Sequence, residues 1–484
     1  MDSASEPLNR ARRVWLSLGA LVISALLLYF GTGLTPIAAL TWVAPIPVLL
    51  VAPRISGWAA FGVAFAAYGL ATSNSWGFYL HSHDTPLWPV GALICVCFTA
   101  TFAASVALFR ALAVRRRAML AAFAGAALWT SVLYIASVAS PMGIAYTLAA
   151  TQAGIPVLVQ SAAVAGMWAL EFLVLFVPCA IAALAAPQVN RAARWRTASA
   201  AVAVLAVVLI AGAVRLGTAP EPERTTRVAL LSNDHSGWGT DIATSAGEKL
   251  MRSYIDKIDS LPDNVDTVVL PEGEFKTVKS THKKLVEPLT SIASKRHLTI
   301  VVGDAYVVGD GRIKYNYARV ITAKGEVASY LKHHDSVSPH GHKLVYRPGT
   351  DQRVGLEICL DVNLMDTNVA YARAGTRVLL IPAADEGVNG RMHSRTALFR
   401  GVENGMAIAW SDRTGQLMVA DGYGRILAEK PSPSDPGDVT SVVAKLPYGP
   451  GETLYTRIGD VFAWCCVALT LAGIALAFTG RRAA

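Results

Sequence analysis

Three side chains that could together carry out acyl transfer stand near the ends of apolar runs in the second half of the chain. Glu272 closes "DTVVLPE", Lys332 lies in "SYLKHHDS", and Cys359 closes "RVGLEIC". A thiol acts as a nucleophile only as its thiolate, so it needs a neighbouring base and a cation. A carboxylate can take the proton, and an ammonium group can stabilise the oxyanion of a tetrahedral intermediate. Glu, Lys and Cys are therefore a complete set for attack on a carbonyl carbon.

Each of these residues also has an ordinary structural explanation. Glu272 could cap a helix, Lys332 could be a solvated charge at a strand end, and Cys359 could be a buried structural thiol. Taken singly, each residue type favours that explanation. Ligands bind at the edge of an α/β sheet where its strands end, so the catalytic interpretation needs a fold that gathers all three residues there.

The segment around these residues has the pattern of an α/β domain. Short apolar runs rich in Val, Ile and Leu predict buried strands at 226–232, 266–272, 298–304, 317–323, 353–359 and 377–383. Helix-like stretches lie between several of them, near 244–259, 281–296, 364–374 and 391–404. Strands that alternate with helices indicate a layered α/β core.

The remainder of the chain has the composition of a membrane protein. Hydrophobic residues make up 53% of the 484 residues and charged residues only 16%, whereas a soluble domain is nearer to about a quarter charged. Apolar runs close to the length that a spanning helix needs lie at about 14–31, 36–53, 57–74, 87–112, 118–139, 156–186, 199–217 and 458–479. The run at 156–186 is long and contains Pro156 and Pro178, which suggests a tilted or partly re-entrant segment.

Positive charge predicts how these spans are oriented. Arg residues occur before the first span, in alternate loops and after the last span, whereas the other short loops have no Lys or Arg. The positive-inside rule then places both termini in the cytoplasm. We therefore predict a membrane domain of seven helices over 1–217, an extracytoplasmic domain over 218–457, and an eighth membrane helix with a cytoplasmic tail over 458–484.

Net charge and cysteine content exclude other classes. The net charge of +9 could indicate nucleic-acid binding, but the Arg residues sit in loops between apolar runs, so no nucleic-acid partner is expected. Of the six cysteines, all except Cys359 fall inside apolar runs, which argues against a disulfide framework. The five are Cys95, Cys97, Cys179, Cys465 and Cys466, and we interpret them as small apolar side chains.

Several ordered motifs in the segment from about 226 to 446 resemble the nitrilase (carbon–nitrogen hydrolase) superfamily. They are "VVLPEGEF", "YNYARVITAKGEVASYLKHH", "YRPGTDQRVGLEICLD" and "RTALFRGVENGMAIAWSDRTGQLMVADGYGRILAE". The resemblance implies a nitrilase-like αββα sandwich. It also implies that Glu272 is the base, Lys332 the oxyanion stabiliser and Cys359 the nucleophile of a catalytic triad.

The whole chain resembles one membrane-bound branch of that superfamily, the apolipoprotein N-acyltransferase family. "LTPIAALTWVAPIPVLL" (34–50) is similar to the start of that family, and Trp238 matches a Trp that follows its first strand. The resemblance implies transfer of a fatty acyl chain from a membrane phospholipid to the amine of a diacylglyceryl-cysteine lipoprotein, through a thioester on Cys359. It implies a bacterial cytoplasmic membrane location and no cofactor.

The sequence departs from that family at residues expected to contact substrate. His342 stands where the family usually has a second Glu, and Leu360 and Asp361 stand where it has Tyr-Glu. The shorter "AADEGVNG" (383–390) replaces its "NDAWFG"-like loop. We expect Trp238, His342, Leu360 and Asp361 to bind substrate. The departures keep two alternatives open: a membrane-tethered amidase with water as acceptor, and a non-enzymatic interaction protein.

Two further features have competing explanations. The histidines in 333–342 invite a metal interpretation, but their spacing fits no closed zinc pattern, so no metal site is expected. Glu171 is an acid within an apolar run, a kind of position that is costly and often functional. A place facing the bundle interior, or at the membrane interface, explains Glu171 equally well.

Overall fold

A computed structural model of the chain describes residues 10–83, 85–143, 146–233, 238–309, 311, 313–433 and 438–479. It contains a region of apolar helices, a layered α/β domain, and a last apolar helix after that domain. The predicted fold class is confirmed: the α/β domain has two packed sheets with helices outside them.

The first region contains eleven helices among the described residues. They are α1 (Arg10–Gly31), α2 (Ala38–Val43), α3 (Ile46–Val51), α4 (Gly57–Ala71), α5 (Trp76–His81), α6 (Ala92–Ala113), α7 (Ala118–Ala139), α8 (Pro156–Val159), α9 (Ala162–Ala165), α10 (Met167–Leu184) and α11 (Arg191–Gly217). Short 3-10 turns occur at Ala52–Arg54, Thr72–Ser75 and Ala150–Gln152, and a π-turn at Leu87–Gly91 precedes α6.

Six helices in the described part of the chain are long and apolar enough to cross a membrane, by length and composition. They are Arg10–Gly31, Leu87–Ala113, Ala118–Ala139, Met167–Leu184, Arg191–Gly217 and Val461–Phe478. The segment predicted as a span at 36–53 is broken into α2 and α3, and the one predicted at 57–74 contains the 15-residue α4. The domain boundaries and the count of eight spans remain predictions.

The long apolar run at 156–186 is interrupted at Gly166. This glycine has φ +69°, a left-handed conformation that side chains disfavour. A Cβ atom there would also lie 2.6 Å from the ring of Tyr455. The chain therefore forms the short α8 and α9, turns at Gly166, and only then enters the 18-residue α10.

Glu171 faces the interior of the helical bundle. Its side chain is buried and accepts hydrogen bonds from the Trp129 indole and from the backbone N–H of Ala149, both at 2.7 Å. A buried carboxylate needs such partners. The contact joins α10 to α7 and to the loop that precedes α8.

Thirteen strands of the described chain form two sheets. They are β1 (Thr225–Asn233), β2 (Thr240–Asp241), β3 (Thr267–Val269), β4 (Phe275–Thr277), β5 (Thr299–Val308), β6 (Ile313–Thr322), β7 (Gly325–Leu331), β8 (Val354–Leu356), β9 (Val378–Ala383), β10 (Ala407–Asp412), β11 (Gln416–Ala420), β12 (Ile426–Pro431) and β13 (Val439–Pro447). The first sheet has the order β13-β1-β3-β5-β4-β2, with β6 on β5 and β7 on β6; the second has the order β12-β11-β10-β9-β8.

Alternating burial on β1 shows how the layers pack. Val228 and Leu230 pack with residues of the second sheet, whereas Ala229 and Leu231 pack under the helices on the outer face. Because successive side chains of a strand point to opposite faces, a strand covered on both sides is apolar throughout. The hydroxyl of Ser411 on β10 ties the sheets together, since it donates to backbone oxygens of Leu231 and Val269.

Helices of the α/β domain lie on the outer faces of the two sheets. They are α12 (Ser245–Asp259), α13 (His282–Arg296), α14 (Met365–Arg373) and α15 (Gly390–Asn404). The short helix α16 (Leu454–Ile458) then leads into the membrane helix α17 (Val461–Phe478). A 3-10 turn at Cys359–Asn363 begins after the two residues that follow β8, so the predicted nucleophile opens a turn just past the end of a strand.

Candidate active site

Glu272 and Lys332 form a buried ion pair. Glu272 lies in the turn after β3, and Lys332 is the first residue after β7. The Lys332 ammonium donates to Glu272 Oε1 at 2.7 Å, and both side chains are less than a tenth exposed. The Asn316 amide on β6 donates to the same oxygen at 2.7 Å. No sequence pattern marks Asn316, because an Asn within a strand carries no motif of its own.

Cys359 is held in an unfavourable backbone conformation beside this pair. Its φ is +43°, in the left-handed region that few residues other than glycine adopt. Such positions cost about 1–3 kcal/mol and persist where the surrounding structure fixes them. The residue is only 7% exposed, and its thiol lies close enough to Glu272 and Lys332 for their charges to act on it. The structure therefore brings the three predicted residues together.

The electrostatics of the pocket keep the resting thiol protonated. Burial, followed by the charges of Glu272 and Asp385, raises the pKa of Cys359 well above its ordinary value, and Lys332 opposes this only in part. Burial also opposes the charge of Lys332, but Glu272 and the other nearby acids raise its pKa. A protonated thiol beside a carboxylate has to pass its proton to that carboxylate as it attacks.

Asp361 fixes the turn that carries the nucleophile. Its carboxylate accepts from the hydroxyl of Tyr330 at 2.8 Å, from the backbone N–H of His334 at 2.8 Å, and from the backbone N–H of Ile358 at 3.2 Å. Asp361 is fully buried. These contacts give it a positioning role between β7 and the Cys359 turn, and its expected contact with substrate remains a prediction.

The other three predicted substrate residues differ in their distance from the pocket. Trp238 is 42% exposed and lies over the turn that contains Glu272, since a Cβ on Gly273 would be 2.6 Å from its ring. Leu360 follows the nucleophile and is half-buried. His342 is exposed and makes no hydrogen bond or ion pair with the residues that the structure describes. Substrate binding by each of them remains a prediction.

A second group beside the nucleophile was missed at the sequence level. Cys359 Sγ, a carboxylate oxygen of Asp385 and a ring nitrogen of His393 all lie within 4.8 Å of one another. The Nδ1 of His393 is 2.8 Å from Asp385 Oδ1, and both residues are buried. Asp385 lies in the loop that departs from the family pattern, and His393 in the first turns of α15. No spacing rule joins either residue to Cys359.

This group is also the one set of three potential metal ligands in the described part of the chain. The histidines singled out in the sequence do not assemble there. His333 stacks on Tyr330 at 4.9 Å between ring centroids, and His334 contacts Asp361 and Asp366.

Loops from the helical region contact the α/β domain around this pocket. Ser82 Oγ and the backbone N–H of His83 both donate to the carboxylate of Glu386. The Tyr146 hydroxyl accepts from the Asn389 amide at 3.0 Å. Gly143 packs so closely on Asn363 that a Cβ would lie 2.3 Å from the Asn363 carbonyl oxygen. The candidate site therefore lies where the apolar helices meet the catalytic fold.

Two family models match this chain in succession. The apolipoprotein N-acyltransferase N-terminal domain matches residues 24–180, and carbon–nitrogen hydrolase matches residues 240–438. Together they span most of the helical region and most of the α/β domain. The chain belongs to the apolipoprotein N-acyltransferase family, within the nitrilase superfamily. The family match and the six long apolar helices together indicate that the protein is a membrane protein.

The curated relatives include an apolipoprotein N-acyltransferase and two kinds of amidase. An apolipoprotein N-acyltransferase of Geobacter metallireducens is 28% identical, over 44% of this chain and 46% of that protein. An (R)-stereoselective amidase of a Pseudomonas species is 27% identical, over 31% of this chain and 59% of that protein. A deaminated glutathione amidase of Synechocystis is 30% identical, over 29% and 63%. The chain spans about half to three fifths of the length of these relatives.

Solved structures of nitrilase-superfamily proteins also align with the α/β half. A Saccharomyces cerevisiae protein of branch 10 of that superfamily is 18% identical, over 50% of this chain and 97% of its own, with a TM-score of 0.37. An amidase from Nesterenkonia is 16% identical, over 51% and 99%, with a TM-score of 0.36. The assignment to the apolipoprotein N-acyltransferase family depends on the family models and not on these alignments.

Proposed function

We propose that this protein transfers a fatty acyl chain from a membrane phospholipid to the N-terminal amine of a diacylglyceryl-cysteine lipoprotein. The reaction passes through a thioester on Cys359. Glu272 takes the thiol proton, and Lys332 stabilises the oxyanion as the sulfur attacks the ester carbonyl. The ester C–O bond then breaks, and Glu272 passes the proton to the oxygen of the departing lysophospholipid. The observation that carries the proposal is the buried Glu272–Lys332 pair beside a strained cysteine, in a chain that belongs to the apolipoprotein N-acyltransferase family.

The position of the site supports a lipid donor. Loops of the apolar helical region contact the Cys359 turn and the loop at 383–390, so the pocket adjoins the apolar helices. Moving an acyl chain into water costs about 0.8 kcal/mol for each CH₂ group. A site at the membrane surface lets the chain remain in the bilayer during transfer. In this proposal the catalytic domain is extracytoplasmic and the protein crosses the membrane several times.

A second candidate function is a membrane-tethered amidase that uses water as the acceptor. Two observations favour it: the amidases among the relatives, and the departures at His342 and at 383–390. Both candidates use the same three residues and form an acyl-enzyme. They differ in the donor and in what attacks the intermediate.

Labelled phospholipid tests the proposal directly. The full chain in its own membrane is incubated with phospholipid labelled in its acyl chain, without acceptor, and analysed by intact-protein mass spectrometry. We expect an acyl adduct on Cys359 that a diacylglyceryl-cysteine peptide then removes. A protein that takes no label from phospholipid but hydrolyses amides would favour the amidase instead.

Substitution of the nucleophile gives the matching prediction. We expect Cys359→Ser and Cys359→Ala to fold and to lose more than about a thousand-fold of acyl transfer, because no other group can form the thioester. Cys97→Ser is the control, since Cys97 is exposed on a helix of the membrane region and should be dispensable. N-acylation at the normal rate by either Cys359 variant would contradict the mechanism.

A further inference from the structure

We propose that His393, held by Asp385, is a second base beside the nucleophile and takes the proton of the acceptor amine in the second half of the reaction. The inference deepens the proposed function and depends on it, because it assumes an acyl-enzyme on Cys359. It assigns different proton acceptors to the two halves of the reaction: Glu272 to acylation and His393 to transfer onto the amine.

The first observation is the unused nitrogen of a buried imidazole. His393 is 4% exposed, and its Nε2 has no hydrogen-bond partner among the described residues. Buried polar atoms almost always have a partner, so one without calls for an explanation. The ring is not loosely placed, because it packs against Trp410 at 4.8 Å and Tyr146 at 6.4 Å between ring centroids.

The second observation is the carboxylate that orients this ring. Asp385 Oδ1 lies 2.8 Å from Nδ1 of His393, and the Asn389 amide donates to the same oxygen at 3.2 Å. An ionised Asp385 accepts a hydrogen bond from the Nδ1–H of His393, and in that tautomer the lone pair of the neutral ring is on Nε2. His393 is therefore presented as a base.

Asp385 is the ionised member of a buried pair of acids, and Asp412 is the other member. Burial disfavours the charge of Asp385, but His393 and Asp412 outweigh burial and lower its pKa. Burial and the charge of Asp385 raise the pKa of Asp412 well above its ordinary value, so Asp412 holds the proton of this pair. Asp412 also accepts from the backbone N–H of Asp385 at 2.9 Å, which fixes the carboxylate behind the imidazole.

The fourth observation is the distance to the reacting atom. A ring nitrogen of His393 lies within 4.8 Å of Cys359 Sγ. An amine that attacks a thioester on that sulfur therefore approaches the ring closely enough to pass its proton directly, over about 2.6–3.2 Å, or through one water molecule. Tyr146, from the loop before α8, contacts both this ring and Asn389, so the second base lies at the junction with the membrane region.

The proposed step balances without a further reactant. The neutral amine attacks the thioester carbon, the C–N bond forms, and the C–S bond breaks with its electron pair returning to Cys359 Sγ. The proton that leaves the nitrogen moves to His393 Nε2 and from there to the sulfur. The products are the amide and the free thiol, and the enzyme returns to its starting state.

The test measures the two half-reactions separately on the full chain in nanodiscs. Acylation of Cys359 is followed by mass spectrometry with labelled phospholipid, and the isolated acyl-enzyme is then mixed with a diacylglyceryl-cysteine peptide. His393→Asn keeps a donor near the position of Nδ1 but removes the base. We expect acylation within about three-fold of wild type and transfer to the amine slower by about 100-fold or more.

Controls separate this role from structural and metal-binding ones. His297→Asn changes an exposed histidine at the end of α13 and should leave both half-reactions unchanged. If His393→Asn fails to fold, His393→Gln is measured in its place, and added imidazole should restore transfer in His393→Ala. Equal losses in both half-reactions, or unchanged transfer, would overturn the inference. The inference would also be overturned if the wild type bound one zinc ion per chain and His393→Asn bound none.

Failure of the proposed function has a different signature. If the proposed function is wrong, the wild-type protein itself forms no acyl adduct from phospholipid, so this outcome does not depend on the His393 variant. If the adduct forms on Cys359 but leaves to the amine as fast in His393→Asn as in wild type, the proposed function stands and only the second base is refuted.

Discussion

At the scale of single residues, the candidate site combines a high thiol pKa with a neighbouring carboxylate. The charge of Glu272 raises the pKa of Cys359, while the charge of Lys332 lowers it. Glu272 thus makes the free thiolate scarcer even as it offers a place for the thiol proton. Removing the carboxylate should therefore increase the amount of thiolate but also remove the proton acceptor for acylation. Measuring both properties in one variant separates the two effects.

We predict that Glu272→Gln raises the reactivity of Cys359 towards iodoacetamide at a given pH and abolishes acylation by phospholipid. Removing the negative charge of Glu272 takes away one of the two carboxylate charges that raise the thiol pKa, while Lys332 still lowers it, so the thiol pKa falls and more thiolate is present. Acylation falls by about 10²–10⁴-fold because the base is gone. Alkylation rates against pH, followed by mass spectrometry, and adduct formation from labelled phospholipid measure the two effects.

Glu287→Gln is the control for that prediction, since Glu287 lies on the exposed side of α13 and should change neither rate. An alkylation profile of Glu272→Gln that moves to higher pH would contradict the electrostatic account. Retained acylation would show that another group takes the thiol proton.

Sequence patterns could indicate some of these residues and not others. Glu272, Lys332 and Cys359 each follow an apolar strand within a recognisable motif, so their positions along the chain carry information. Asn316 lies in the middle of β6, and His393 within a helix, where neither spacing nor neighbours distinguish it. Their proximity to the site depends on which strands pair and on how the loop at 383–390 folds, and neither follows from local sequence.

At the scale of elements, a short connection pins β7 to the turn that carries the nucleophile. His334 follows Lys332 by two residues, and its imidazole contacts Asp361 at 3.2 Å and Asp366 at 3.3 Å. Hydrogen bonds to Asp361 and then to Asp366 raise the pKa of His334 to about 10. In the unfolded chain a histidine has a pKa of about 6.5. The folded state therefore binds this proton more tightly than the unfolded state.

The sign of the pH dependence follows from that difference. The stabilisation is fully present below about pH 6.5 and is lost as the pH rises through about 10. The wild type therefore loses stability as His334 gives up its proton at high pH, and His334→Gln has no such proton to lose. We predict that the unfolding temperature of His334→Gln falls less between pH 7 and 10 than that of the wild type. Thermal unfolding in detergent at several pH values measures it, with His297→Asn as the control. Parallel curves for wild type and His334→Gln would contradict the prediction.

Sequence patterns predicted some helices and strands of the structure better than others. The runs predicted as strands at 226–232, 298–304 and 377–383 correspond to β1, β5 and β9, because long apolar runs with β-branched residues have few alternatives. The two-residue β2 and three-residue β4 have no periodic pattern, and pairing alone makes them strands. The break between α2 and α3, near Pro45, depends on how the neighbouring helices pack.

At the scale of the whole molecule, the α/β domain is docked on the helical bundle through buried polar contacts. Glu403 on α15 accepts from the backbone N–H of Met167 at 2.6 Å, at the start of α10, and pairs with Arg400 at 2.7 Å. A carboxylate at a helix N-terminus is favoured by the unpaired N–H groups there. The Gln160 amide also donates to the Tyr423 carbonyl oxygen at 2.7 Å. The orientation of the bundle in the membrane therefore decides which compartment the active site faces.

We predict from the Arg-rich loops that the α/β domain faces the outside of the cytoplasmic membrane. Lys279→Cys places a thiol on an exposed turn of the domain, and Ala192→Cys places one at the exposed start of α11. A membrane-impermeant maleimide should label the first variant in intact spheroplasts and the second only after permeabilisation. Wild-type protein measures the background from its own six cysteines. The reverse labelling pattern would put Cys359 in the cytoplasm, away from any exported lipoprotein.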